Sequence, residues 1–141
     1  MHIEALRLSP GDDLRLALQA AWAGLSAAHD VQAGCVVSAV GSLHDAVLRF
    51  AAGPGGTRIS GPLELLSLSG TFSADGPHLH ASVSRADGSV CGGHLLPGCT
   101  VRTTAEVVLA LLPGWQFSRQ LDAATGFAEL VARRLPVVDM P

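Results

Sequence analysis

Turn-forming dipeptides limit what this chain can fold into more than any other feature. Pro-Gly recurs at 10–11, 97–98 and 113–114, and Asp-Gly at 75–76 and 87–88. Gly53-Pro54-Gly55-Gly56 makes a longer flexible stretch. Between these breaks lie short apolar runs, several of which alternate as half-buried strands do. Asp-Gly between two such runs is a strong hairpin signal, and hairpins join antiparallel neighbours. The pattern therefore predicts a meandering antiparallel sheet.

One segment departs from it. Leu14, Leu18, Ala21, Trp22 and Leu25 recur at helical spacing. Ser9 is a candidate cap, Pro10 suits a first helical position, and Asp12 stands where a capping box places an acid. A helix over about 10–28 is expected. Strands are expected at 2–8, 33–40, 46–51, 63–72, 78–84, 89–95, 101–112 and 115–121. The runs 33–40 and 46–51 read as two strands joined near Gly41-Ser42. In 63–72, strict alternation puts Leu63, Leu65, Ser67 and Ser69 on one face. Residues 126–135 read as a short closing helix. The predicted class is α+β: a mostly antiparallel sheet with a packed N-terminal helix and a short C-terminal helix. At 141 residues one domain is expected, spanning 1–135, with 136–141 as a loose tail.

Composition narrows the function classes. The formal net charge is −3, and all nine basic residues are Arg. Only Arg133 and Arg134 are adjacent, so no basic face of the kind that grips phosphates is evident. The three Cys, at 35, 91 and 99, are odd in number and form no CxxC; they read as small apolar residues in a reducing compartment. The start MHIEALRLS lacks the pattern of a signal peptide, and no apolar run approaches the ~20 residues of a membrane span. A cytoplasmic protein without a membrane association is the expectation. No nucleotide-binding loop or Gly-x-Ser-x-Gly elbow is present.

Chemistry concentrates in the hairpin region. His78 and His80 flank Leu79, and His94 follows Gly92-Gly93. Residues i and i+2 of a strand project from one face about 6–7 Å apart, near enough for two imidazoles to share an ion. The Asp87-Gly88 turn returns the next strand alongside, so His94 can approach as a third ligand. Three imidazoles leave a coordination position open, as catalytic zinc sites do. Zinc is the first choice, with nickel and iron also compatible with imidazole. Cys91 lies three residues from His94, on the opposite face of a regular strand. His2, His29 and His44 read as surface or structural residues. Glu64 and Glu106 interrupt apolar strands and are candidates for the metal's outer shell or for interface ion pairs, with Arg49 their best-placed partner.

At these residues the chain resembles the plants-and-prokaryotes-conserved (PPC) domain family. The matching stretches are LSPGDDL at 8–14, SAVGSL at 38–43, LRF at 48–50 and LELLSLSG at 63–70. They continue through His78-Leu79-His80, Asp87-Gly88, GGHL at 92–95 and AEVV at 105–108, together covering about residues 5–132. The resemblance implies a mostly antiparallel α/β fold and a homotrimer. It implies a domain that plant members join to an AT-hook for A·T-rich DNA. This sequence contains no Arg-Gly-Arg-Pro hook and keeps three histidines that plant members tend to lack. The expected function is a trimeric domain binding a divalent metal through His78, His80 and His94, with room for a small-molecule ligand at the metal. A DNA-binding or transcription-associated protein and a trimeric interaction scaffold are the alternatives.

Overall fold

A computed structural model describes residues 1–136. The elements in chain order are β1 (His2–Leu8), α1 (Leu14–His29), β2 (Gly34–Arg49), β3 (Thr57–Ser73), β4 (Gly76–Arg85), β5 (Val90–Leu95), β6 (Thr100–Leu111), β7 (Trp115–Leu121) and β8 (Ala128–Arg134). Strand accounts for 62% of the described residues and helix for 12%. The expected α+β class is thereby corrected: this is a β-rich fold with one helix. Most of the expected tail, residues 137–141, lies outside the described residues.

Six strands form one sheet in the order β1-β6-β2-β3-β4-β5, every pairing antiparallel. The far end of β2 also curls round to meet β5, pairing Leu48 with Leu95 and Arg49 with His94. The sheet is thus closed on itself at that end, where β2, β3, β4 and β5 form a ring of paired edges. One face of the sheet holds the core. Phe72, Leu43, Leu48, Leu63, Leu79, Val83, Leu95, Val101 and Leu109 are each buried to 1% exposure or less. Full burial of such a side chain stabilises by roughly 1.5–3 kcal/mol. α1 covers this face with Leu14, Leu18 and Trp22. The Trp22 indole donates to the Ser73 carbonyl at 3.0 Å and packs on Phe72. Among the described residues, no helix is long and apolar enough to cross a membrane.

The helix begins at Leu14, later than expected. Ser9 to Asp12 form a turn instead: the Ser9 amide donates to the Asp12 carboxylate at 2.8 Å, and Gly11 has φ 91°. A residue at positive φ cannot sit in a helix. Asp13 is the cap, accepting from the Leu16 amide at 3.0 Å. Its second oxygen accepts from the Gly98 amide, which ties the helix start to the loop before β6.

Three further differences share one cause, that pairing across strands overrides local signals. β2 runs unbroken through Gly41, where two strands were expected. A Cβ at Gly41 would stand 2.6 Å from the Thr104 carbonyl oxygen, so this glycine permits close strand approach and marks no turn. In β3 the register slips between Leu65 and Ser67. The bulge sends Leu66 and Ser67 both outward, and the core side becomes Leu63, Leu65 and Leu68. Finally, 126–135 is not a helix. Residues 128–134 form β8, which pairs with β7 from Trp115↔Arg134 to Leu121↔Ala128. β7 has no place in the six-stranded sheet, so its amides and carbonyls need another partner strand. The turn closes through the Gly126 amide on the Asp122 carbonyl, with Gly126 at φ 75°.

Candidate metal centre

β4 alternates strictly. Pro77, Leu79 and Ala81 are buried in the core, which turns His78 and His80 to the other face. β5 lies beside it with His94 directly opposite His80. Glycines fix how closely β5 fits. A Cβ at Gly92 would stand 2.8 Å from the Ala81 carbonyl oxygen, and one at Gly93 would stand 2.6 Å from that of Arg49. On the other flank of β4, Gly70 at φ 143° allows close passage of the His78 carbonyl, which any Cβ there would strike. The strands carrying the three histidines are drawn together because side chains are missing around them.

The result is a compact cluster. One ligand nitrogen from each of His78, His80 and His94 lies within 4.8 Å of the others. The Nε2 atoms of His78 and His80 are 3.3 Å apart. Nitrogens bound at 2.0–2.1 Å around a tetrahedral ion stand about 3.3 Å from one another, so this edge already has coordination spacing. His94 Nδ1 is buried and has no hydrogen-bond partner. An orphaned buried nitrogen is costly, and it belongs to one of the three clustered rings.

The electrostatics favour the neutral form of His94 and His78. Burial pushes His94 down to about 4, helped by the neighbouring charges of His78, Arg49, His80 and Arg15. His78 is also lowered, by burial first, then by Arg119 and His80, with Glu129 acting in the opposite sense. Metal ligation needs neutral imidazole, and His94 is neutral throughout the physiological range.

Of the residues singled out in the sequence, the structure brings together the three histidines and Arg49, which pairs with His94 across β2 and β5. It does not bring Glu64 or Glu106 to the cluster. Glu64 is exposed opposite Ser42 and Ser84, and Glu106 is exposed opposite Arg7 and Val40. Neither is in an ion pair among the described residues, where Glu4–His29 and Asp45–Arg58 are the pairs formed. Cys91 pairs with Val83 and packs against the core, away from the side that carries the histidines. Sequence reasoning missed Arg119. It sits on β7, donates from its guanidinium to Thr71 Oγ1 at 3.3 Å, and lines a cleft with His78 and His80. Only the fold of the β7–β8 hairpin, which no local pattern announces, carries it there.

Comparison with known proteins finds the same fold in several solved structures. The profile of the Plants and Prokaryotes Conserved (PCC) domain, the family written PPC above, matches residues 1–113. A hypothetical protein from Salmonella cholerae-suis (Salmonella enterica) superposes with a TM-score of 0.87 at 40% identity, over 94% of each chain. A metal-containing protein from Archaeoglobus fulgidus superposes at 0.73 with 28% identity, over 93% of this chain and 94% of that one. A protein from Bacteroides thetaiotaomicron, provisionally named DNA-binding, superposes at 0.77 over 92% and 91% of the chains; at 21% identity it shows the fold alone. Two Synechococcus proteins described as bifunctional protein GlmU align over 130 residues at 50% and 47% identity, covering 92% of this chain. The chain spans 20% of the length of these curated relatives.

Proposed function

The chain belongs to the Plants and Prokaryotes Conserved (PCC) domain family, and from that premise we propose that it is a metal-binding domain holding one divalent cation, zinc by first choice, on His78, His80 and His94. The observation that carries this reading is the convergence of one imidazole nitrogen from each of the three histidines within 4.8 Å of one another. The metal content of the Archaeoglobus relative supports it. Three nitrogen ligands would leave a position for water or a small-molecule ligand, and the ion would act there as a Lewis acid.

The same reading makes residues 1–135 one domain and the working unit a homotrimer. Val37, Val40 and Leu66 are exposed by 57%, 53% and 51% on the sheet face away from the core, and covering such apolar side chains would favour association. Glu64 and Glu106 share that face and belong with the interface reading. A scaffold role for the trimer is compatible with these features. A cytoplasmic location fits the three free cysteines. DNA binding ranks behind metal binding, because the net charge is −3 and the basic residues are dispersed.

Elemental analysis of protein purified without a histidine tag tests the metal assignment. One ion per chain is expected, lost when His78, His80 and His94 are all replaced by Ala while circular dichroism stays unchanged. Wild-type protein that carries no metal and takes none up when zinc, nickel or iron is supplied would refute it.

A further inference from the structure

The histidine cluster has an unusual electrical setting. Beside it opens a cleft of about 280 Å³ lined by Ser69, Thr71, His78, His80, Arg119 and Leu130. Its polar side chains are two hydroxyls, two imidazoles and a guanidinium, with no carboxylate. Arg119 is fixed in place. Its backbone amide donates to the Asp75 carboxylate at 2.7 Å, and its guanidinium donates to Thr71, the residue directly opposite His78. That leaves most of its five N–H donors free, and it is in no ion pair among the described residues. Glu129, whose charge reaches His78, accepts from the Thr125 hydroxyl at 3.1 Å, and neither it nor Asp75 lines the cleft. A second cleft on the other side of His80 repeats the arrangement with Arg49 and His94. Positive groups flank the cluster on both sides, and among the described residues no carboxylate lines either cleft.

We infer that the β7–β8 hairpin makes this cluster a binding site for a small oxyanion, a carboxylate or phosphate group received by the Arg119 guanidinium. A guanidinium is permanently charged and presents paired donors that match two oxygens of such a group. The Ser69 and Thr71 hydroxyls add donors on the same wall, and Leu130 limits the space to a small ligand. The inference rests on the metal reading in one respect: a cation on the histidines would face the same cleft and add to the attraction. Arg119 lies beyond residues 1–113, the part matched by the family profile, and the subsite joins the β7–β8 hairpin to the strands that carry His78 and His80.

The test titrates inorganic phosphate and, separately, succinate into zinc-loaded and EDTA-stripped protein by calorimetry, with NMR of the arginine side-chain Nε–H groups. Zinc-loaded wild type is expected to bind at least one of the two, and the tighter one identifies the class. Arg119→Gln is expected to weaken that anion about ten- to hundred-fold, the weight of a charged hydrogen-bonding group, with zinc content and thermal midpoint unchanged. Arg119→Lys keeps the charge without the fork and is expected to fall between; it carries the comparison if Arg119→Gln does not fold. Equal affinity in wild type and both variants, or no binding of either anion to zinc-loaded wild type, would overturn the inference. Protein that takes up no metal yet shows the Arg119 resonance moving with phosphate supports the anion subsite and refutes the metal assignment alone.

Discussion

Acidification of the metal-free protein should reveal the buried histidine directly. In the unfolded chain His94 takes up its proton near 6.5, and in the folded protein not until about 4. Between these values the unfolded state binds more protons, so stability is fully present above 6.5 and is lost as pH falls toward about 4. At 1.36 kcal/mol per pH unit the whole gap would amount to about 3 kcal/mol. His94 is only half-buried, and solvent screens part of this, which leaves on the order of 1–2 kcal/mol. His78, also held low, adds in the same direction. Asp45 and Asp87 are held below 3.8 by Arg58 and Ser89 respectively, so their contributions are lost only at lower pH. Urea unfolding in EDTA, followed by circular dichroism between about pH 7 and about pH 4.5, measures the slope. His94→Gln should remove the larger share of it. A stability that does not change with pH across this window, or an equal slope in wild type and His94→Gln, would refute the reasoning.

Other consequences are equally open to measurement. Gly93→Ala would put a Cβ 2.6 Å from the Arg49 carbonyl oxygen; it should cost about 1–3 kcal/mol and lower zinc uptake, whereas Gly55→Ala, with open space around it, should change neither in urea unfolding or metal analysis. Light scattering should find a trimer at micromolar concentration, and Val40→Arg, placing a charge on the exposed apolar face, should shift it toward monomer; a monomeric wild type would refute the trimer. Labelled A·T-rich and G·C-rich duplexes at ~150 mM salt should bind weakly and alike, and tight discriminating binding would put DNA recognition ahead of metal binding.

Residue order alone determined whatever depends on near neighbours. Asp75-Gly76 and Asp87-Gly88 fold the chain back because their backbones tolerate turn geometry, and both hairpins form. His78-Leu79-His80 puts two imidazoles on one face because strands alternate, and the Asp87-Gly88 hairpin returns His94 opposite His80. The triad was therefore legible before any coordinates. The tertiary structure decided what depends on the neighbouring strand. Gly41 looked like a turn and is a close approach to Thr104; strict alternation put Ser67 with Leu63 and Leu65, and a bulge puts Leu66 and Ser67 both in solvent with Leu68 in the core. Residues 128–134 have apolar spacing that suits a helix, yet they pair with β7, because unpaired strand amides and carbonyls cost more than local preference returns. Arg119 reached the histidines the same way. No sequence spacing links residue 119 to residue 78, and their meeting follows only from where the hairpin packs, with its amide on Asp75 and its guanidinium on Thr71.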